Sequence, residues 1–149
     1  MKKLNMRGFS QHLVLAVVVV GFGVVGAYLF VRSHAATCTS YTYAQGVNGT
    51  CVANIQKMLN GLTYERQPNS DLGSNQLAVD GSFGPLTKSK IVGFQKFSVD
   101  HLVVDGKVGP KTWNSLCLYV TQLDFSRTTV PVMRNAYLAA KNSGCTMAH

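Results

Sequence analysis

Val79-Asp80-Gly81-Ser82-Phe83-Gly84-Pro85-Leu86-Thr87 returns 25 residues later as Val104-Asp105-Gly106-Lys107-Val108-Gly109-Pro110-Lys111-Thr112, with six of nine positions identical. In each copy Asp-Gly supplies a turn whose second residue takes positive φ. Gly-Pro then sets Pro at the first helical position, where no N–H is needed. Each copy therefore predicts a turn followed by a helix start. The valine ahead of each Asp predicts a short extended piece leading into the turn.

Outward from these turns the apolar spacing is helical. After Pro85, the residues Ile91, Phe94 and Phe97, with Lys88, Lys90 and Lys96 between them, predict an amphipathic helix to about Ser98. After Pro110, the residues Trp113, Leu116, Cys117 and Val120 fall at i, i+3, i+4 and i+7 and predict a shorter helix. Upstream, Val52, Ile55, Met58 and Leu59 predict a helix capped by Thr50 and ended by Gly61. Near the end, Thr129 as cap, Pro131 as first residue, and Met133, Ala136, Tyr137 and Ala140 before Gly144 predict a fourth helix. Residues 60–78, with Pro68, Asn69, Ser70, Asp71, Gly73 and Ser74, form a long polar connection whose length marks a functional loop or an insert.

The chain has 149 residues, 46% of them hydrophobic and 13% charged, which argues against disorder and leaves room for one domain and an appendage rather than a large multi-domain enzyme. From Leu13 to Val31 no residue is charged. At 1.5 Å rise per residue these 19 residues make a helix of about 28 Å, close to the hydrocarbon core of a bilayer. Lys2, Lys3 and Arg7 precede the run and Arg32 follows it, so the positive-inside bias predicts residues 1–12 in the cytoplasm, a transmembrane anchor at 13–31 and everything beyond outside. The alternative is a signal peptide cleaved near Ser33-His34-Ala35-Ala36, with secretion to the cell wall. Residues 32–45 read as a linker and 119–149 as a C-terminal helical extension.

Part of the net charge of +8 is thus targeting charge. No clustered Lys/Arg stripe of the kind that binds nucleic acid stands in the remainder. All four cysteines, Cys38, Cys51, Cys117 and Cys145, follow the apolar run, where two disulfides are expected in an oxidising compartment. No two of them lie at zinc-ligand spacing, and spacing leaves all three pairings open. The bridges should tie down the flanks.

The order Val52, Ile55-Gln56, Leu59, then Asp80-Gly81-Ser82-Phe83-Gly84-Pro85, Thr87, Ile91, Phe94-Gln95, then Leu102, Val104-Asp105-Gly106-Lys107-Val108-Gly109-Pro110, Thr112-Trp113 and Leu116 resembles, over residues 46–118, the peptidoglycan-binding domain of the small three-helix type found in bacterial wall hydrolases. The resemblance implies a compact helical module that holds peptidoglycan non-covalently, usually beside a catalytic domain. A wall hydrolase is thereby an implied partner. The chain departs from the family pattern in its longer 60–78 insert, in Lys90 where a small residue is favoured, and in Asp100-His101 at a helix end where Gly is favoured, with a longer link to Leu102. No catalytic domain accompanies the module. The expected fold class is all-α: a small three-helix bundle with two related Asp-Gly turns, an extra C-terminal helix and an N-terminal transmembrane helix.

Candidate ligand contacts cluster at the turns: Asp80, Ser82, Phe83, Gln95, Asp105, Lys107, Lys111 and Trp113. Asp80 and Asp105 serve equally as acceptors within their own turns, and Trp113, Phe94 and Ile91 sit at core spacing. Tyr41, Tyr43 and Tyr64 offer stacking faces for sugars, although Tyr41 and Tyr43 stand beside Cys38 and suit packing around a disulfide. Asn48-Gly49-Thr50 matches a glycosylation sequon and also suits the turn before the first helix. Six acidic residues, no histidine cluster for a metal and no Ser-His or Cys-His arrangement of known type predict no catalytic residues, no metal and no cofactor. Binding of peptidoglycan is the expected function, and a protein–protein adaptor at the cell surface is the alternative use of the same fold.

Overall fold

Pro85 and Pro110 each open a helix of 13 residues, so the second is not the shorter one that its apolar stripe predicts. The computed structural model describes residues 37–66, 71–123, 125 and 127–146. A single 3-10 turn at Cys38–Ser40 is followed by α1 (Thr50–Glu65), α2 (Pro85–Phe97), α3 (Pro110–Gln122) and α4 (Pro131–Asn142). Among the described residues no helix is long and apolar enough to cross a membrane, and the predicted span at 13–31 lies outside them.

The apolar stripes meet in one core. Val52, Ile55, Met58 and Leu59 of α1 pack with Ile91 and Phe94 of α2, Trp113, Leu116 and Val120 of α3, and Ala136, Ala139 and Ala140 of α4. Full burial of a large apolar side chain contributes about 1.5 to 3 kcal/mol. Tyr43, within the stretch read as a linker, is also buried; it meets Trp113 edge-on at 5.8 Å and exchanges two backbone hydrogen bonds with Val108 (3.0 and 2.8 Å). Further along, Gly46 donates to Phe83, Phe83 to Val47 and Gly49 to Gly81. Residues 43–49 thus run along both Asp-Gly turns. The valines ahead of the turns, Val79 and Val104, are exposed and pair in no strand, and the described residues hold only isolated bridges, Tyr43 with Val108 and Asn48 with Ser82.

Gly61 does not end α1, which continues for four residues to Glu65. A Cβ built on Gly61 would lie 2.4 Å from Ala136 Cβ and 3.2 Å from Phe125 Cε2, so the glycine lets α4 cross α1 at close range. Gly61→Ala should therefore destabilise the protein by about 1 to 3 kcal/mol through overpacking. Alanine's better helix propensity, worth about 1 kcal/mol, offsets part of this. Urea unfolding of the variant checks the sign. Neither predicted threonine cap forms. Gly49, not Thr50, precedes α1, and before α4 the hydroxyl of Thr128 rather than Thr129 accepts a hydrogen bond, from Val130 N–H at 3.1 Å.

The disulfides are Cys38–Cys51 and Cys117–Cys145. Each joins a flank to a helix of the bundle, the first closing 13 residues and the second 28. Loop-closure entropy assigns about 3 and about 3.5 kcal/mol to them. The end of α4 closes on its own backbone, with Gly144 N–H to Lys141 and Cys145 N–H to Ala140, a double bond pattern that delivers Cys145 to Cys117.

The described residues of the 60–78 segment are tied to the bundle. Residues up to 65 belong to α1, with Leu62 and Thr63 buried. The ammonium of Lys90 donates to the Thr63 hydroxyl at 3.2 Å and to the carbonyls of Leu72 and Gly73. Asn60 grips Leu77 twice, donating to its carbonyl at 2.9 Å and accepting its N–H at 2.7 Å. The departure at Lys90 and the longer insert are therefore one feature. In the second copy Ser115, at the position equivalent to Lys90, donates instead to Asp100, whose carboxylate also receives Ser98 Oγ at 3.2 Å; His101 beside it takes φ +49°.

Candidate binding grooves at the twin turns

A buried glutamine stands behind each Asp-Gly turn. Gln56 of α1 donates to Asp80 Oδ1 (2.8 Å), Ser82 O (3.0 Å) and Thr87 Oγ1 (3.3 Å), and its Oε1 accepts Gly81 N–H (2.9 Å). Gln95 of α2 repeats the arrangement with Asp105 Oδ1 (3.1 Å), Lys107 O (2.9 Å), Thr112 Oγ1 (3.5 Å) and Gly106 N–H (2.9 Å). Each Asp also accepts the amide two residues on, Ser82 N–H or Lys107 N–H, at 2.8 Å. Gly81 and Gly106 both sit at φ +71°, the left-handed conformation the turn demands.

These bonds shift the carboxylates. Asp80 is held below the ordinary value of 3.8 chiefly by the Gln56 amide, then by Ser82 N–H; Asp105 is held below it chiefly by Lys107 N–H, with the Gln95 amide adding to this. Folded values below unfolded ones mean a contribution present above about pH 3.8 and lost as pH falls through the depressed values.

Beside each turn lies a shallow groove. Asp80, Ser82, Pro85, Leu86 and Thr87 line one of about 220 Å³; Asp105, Lys107, Pro110, Lys111 and Thr112 line the other, of about 260 Å³, together with Thr42 and Leu102. The helix starts there carry no side-chain cap. Their first helical bonds are Lys88 N–H to Gly84 and Trp113 N–H to Gly109, which leaves the amides of residues 86, 87, 111 and 112 ahead of the ladder. Partial positive charge at a helix start, with Lys107 and Lys111 exposed beside it, makes the second groove suited to a carboxylate.

Of the expected contact residues, the turns gather Asp80 and Ser82 in one groove and Asp105, Lys107 and Lys111 in the other. Phe83 (1% exposed), Gln95 (3%) and Trp113 (0%) are interior and lie behind the groove surfaces rather than on them. Phe83 and Trp113 fill the core, and Gln95 shapes the turn from behind. Tyr43 is likewise interior, while Tyr41 and Tyr64 are exposed. Gln56 was absent from the candidates, although Ile55-Gln56 and Phe94-Gln95 form a matching apolar-Gln pair. The insert hides the match, because Gln and Asp are 24 residues apart in the first copy and 10 in the second. Among the described residues no group of three or more His, Cys, Asp or Glu is placed to hold a metal ion.

The described residues thus form a disulfide-stapled helical module with a repeated turn and a shallow groove at each copy. Residues 48–116 match the model of the family described as "Putative peptidoglycan binding domain", which supports a peptidoglycan-binding domain over that stretch. No curated protein and no solved structure matches the chain.

Proposed function

We propose that the chain binds bacterial peptidoglycan without cleaving it, exported and held at the outer face of the cell membrane by residues 13–31. The observation that carries this reading is the family match at 48–116, which contains both turns, the whole first groove and all of the second except Thr42. Lys107, Lys111 and the amides at the start of α3 would receive stem-peptide carboxylates, and many weak sites along the polymer would add avidity.

The full chain in detergent should sediment with purified sacculi and release no soluble muropeptide. Lys107→Ala with Lys111→Ala should weaken retention by about three- to tenfold at low salt, since each exposed charge pair contributes up to about 1 kcal/mol. Raising the salt should narrow the difference, because exposed charges are screened within about 10 Å at 0.1 M. A folded chain left in the supernatant counts against wall binding, and released muropeptides count against a purely binding role. Resistance to carbonate extraction from membranes checks the anchor; a mature N-terminus near Ala36 contradicts it.

A further inference from the structure

Each groove continues past its turn along the following helix. In the first copy, the depression at Asp80 shares Leu77 and Leu86 with another of about 290 Å³, which the insert builds against α2. In the second copy, the depression at Asp105 shares Leu102 and Lys111 with one along α3. The two composite grooves are related by the 25-residue repeat, and their charges differ at equivalent positions: Ser82 stands for Lys107 and Leu86 for Lys111.

Lys90 lines the insert groove, yet its three ammonium protons are directed at Thr63, Leu72 and Gly73. It has none left for a ligand anion. Each composite groove carries two aspartates, Asp71 and Asp80 here and Asp100 and Asp105 in the other, but the Lys107 and Lys111 charges that suit the second groove to a carboxylate have no counterpart in the first, where Ser82 and Leu86 stand in their places. The remaining chemistry is amphipathic and uncharged. Leu86 is 75% exposed beside Leu77, a surface for sugar C–H faces and acetamido methyls. The amides of Asn75 and Gln76 and the hydroxyl of Ser89 are exposed on the rim, where they match sugar hydroxyls and acetamido carbonyls. The wall is also built in advance: Lys90 and Asn60 fasten it, and the Asp71 carbonyl lies so close to Gly93 that a Cβ there would meet it at 2.3 Å. A wall already ordered spares a ligand the entropy of ordering it.

We propose that the first groove, from Asp80 to the insert, takes the uncharged N-acetylated amino-sugar backbone of the wall polymer, while the second groove takes its carboxylates. The assignment rests on the wall-binding reading above, and its test separates the two. The probe is chitohexaose, an N-acetylglucosamine oligomer with no peptide and no carboxylate, titrated into the full chain in detergent beside a sacculus sedimentation assay. Binding of chitohexaose is expected, and Asn75→Ala with Gln76→Ala should weaken it about five- to tenfold, the loss of two surface hydrogen bonds. Leu86→Asp should weaken it independently, with the helical circular dichroism of both variants unchanged. Lys107→Ala with Lys111→Ala should leave chitohexaose binding intact while lowering retention on sacculi. If sacculi retain the chain but chitohexaose does not bind, or binds all groove variants equally, the groove assignment is overturned and wall binding stands. If sacculi do not retain the chain, wall binding itself fails.

Discussion

Trp113→Ala is expected to lower stability by about 3 to 5 kcal/mol, the cost of emptying a large aromatic site. Trp113 is fully buried at the centre of the core, with Tyr43 edge-on to it and Leu116 and Val120 on the same helix face. The edge-to-face pair itself is worth about 0.5 to 1.5 kcal/mol beyond the area it buries. Its indole N–H is buried and has no hydrogen-bond partner among the described residues. Trp113→Phe should therefore cost less than half as much, because it removes an unpaired donor whose burial is unfavourable by about 1 to 3 kcal/mol. Guanidinium unfolding of the two variants separates size from polarity. A Trp113→Ala protein of unchanged stability that has lost the wall would instead put the indole at the ligand.

Gln56→Leu and Gln95→Leu are expected to cost about 2 to 4 kcal/mol each, since either leaves a turn amide, Gly81 N–H or Gly106 N–H, buried without its acceptor and removes two or three further bonds. Gln95→Glu should be worse than Gln95→Leu at neutral pH, because its carboxylate would face Asp105 Oδ1 and the Lys107 carbonyl, both acceptors. Such crowding raises the folded value of the new carboxylate above its unfolded one, so the penalty is full at neutral pH and shrinks as pH falls and the group protonates. Denaturation midpoints for both variants at pH 7 and pH 5 measure this. In the native protein the same turns should hold firm down to about pH 3.8 and loosen below it, as Asp80 and Asp105 take up protons.

Much of this was legible in the residues. Asp-Gly followed by Gly-Pro is a local instruction, dominated by backbone conformation, and both turns and both helix starts form where it stands. Apolar spacing marked α1 to α4 and their core faces, including Trp113. The errors share a cause. Gly61 reads as a helix end because glycine often is one, but its role depends on Ala136, 75 positions along the chain. Phe83, beside a turn, and Gln95, ten residues ahead of one, read as surface, but burial depends on what packs over them. Lys90 looks like an intrusion in the family pattern until the insert's carbonyls are seen around its ammonium.

By itself the sequence determined the periodic and conformational features: the uncharged run at 13–31, the twin turns, the helix starts and the amphipathic faces, all properties of neighbouring residues. Only the tertiary structure decided which cysteines pair, which glutamines hold the turns from behind and how the insert becomes the wall of a groove. Those outcomes turn on distances between segments 10 to 31 residues apart, from the Gln95–Asp105 bond to the Gln56–Thr87 bond. Hydrogen bonding and close packing act on such distances, and spacing along a chain does not encode them.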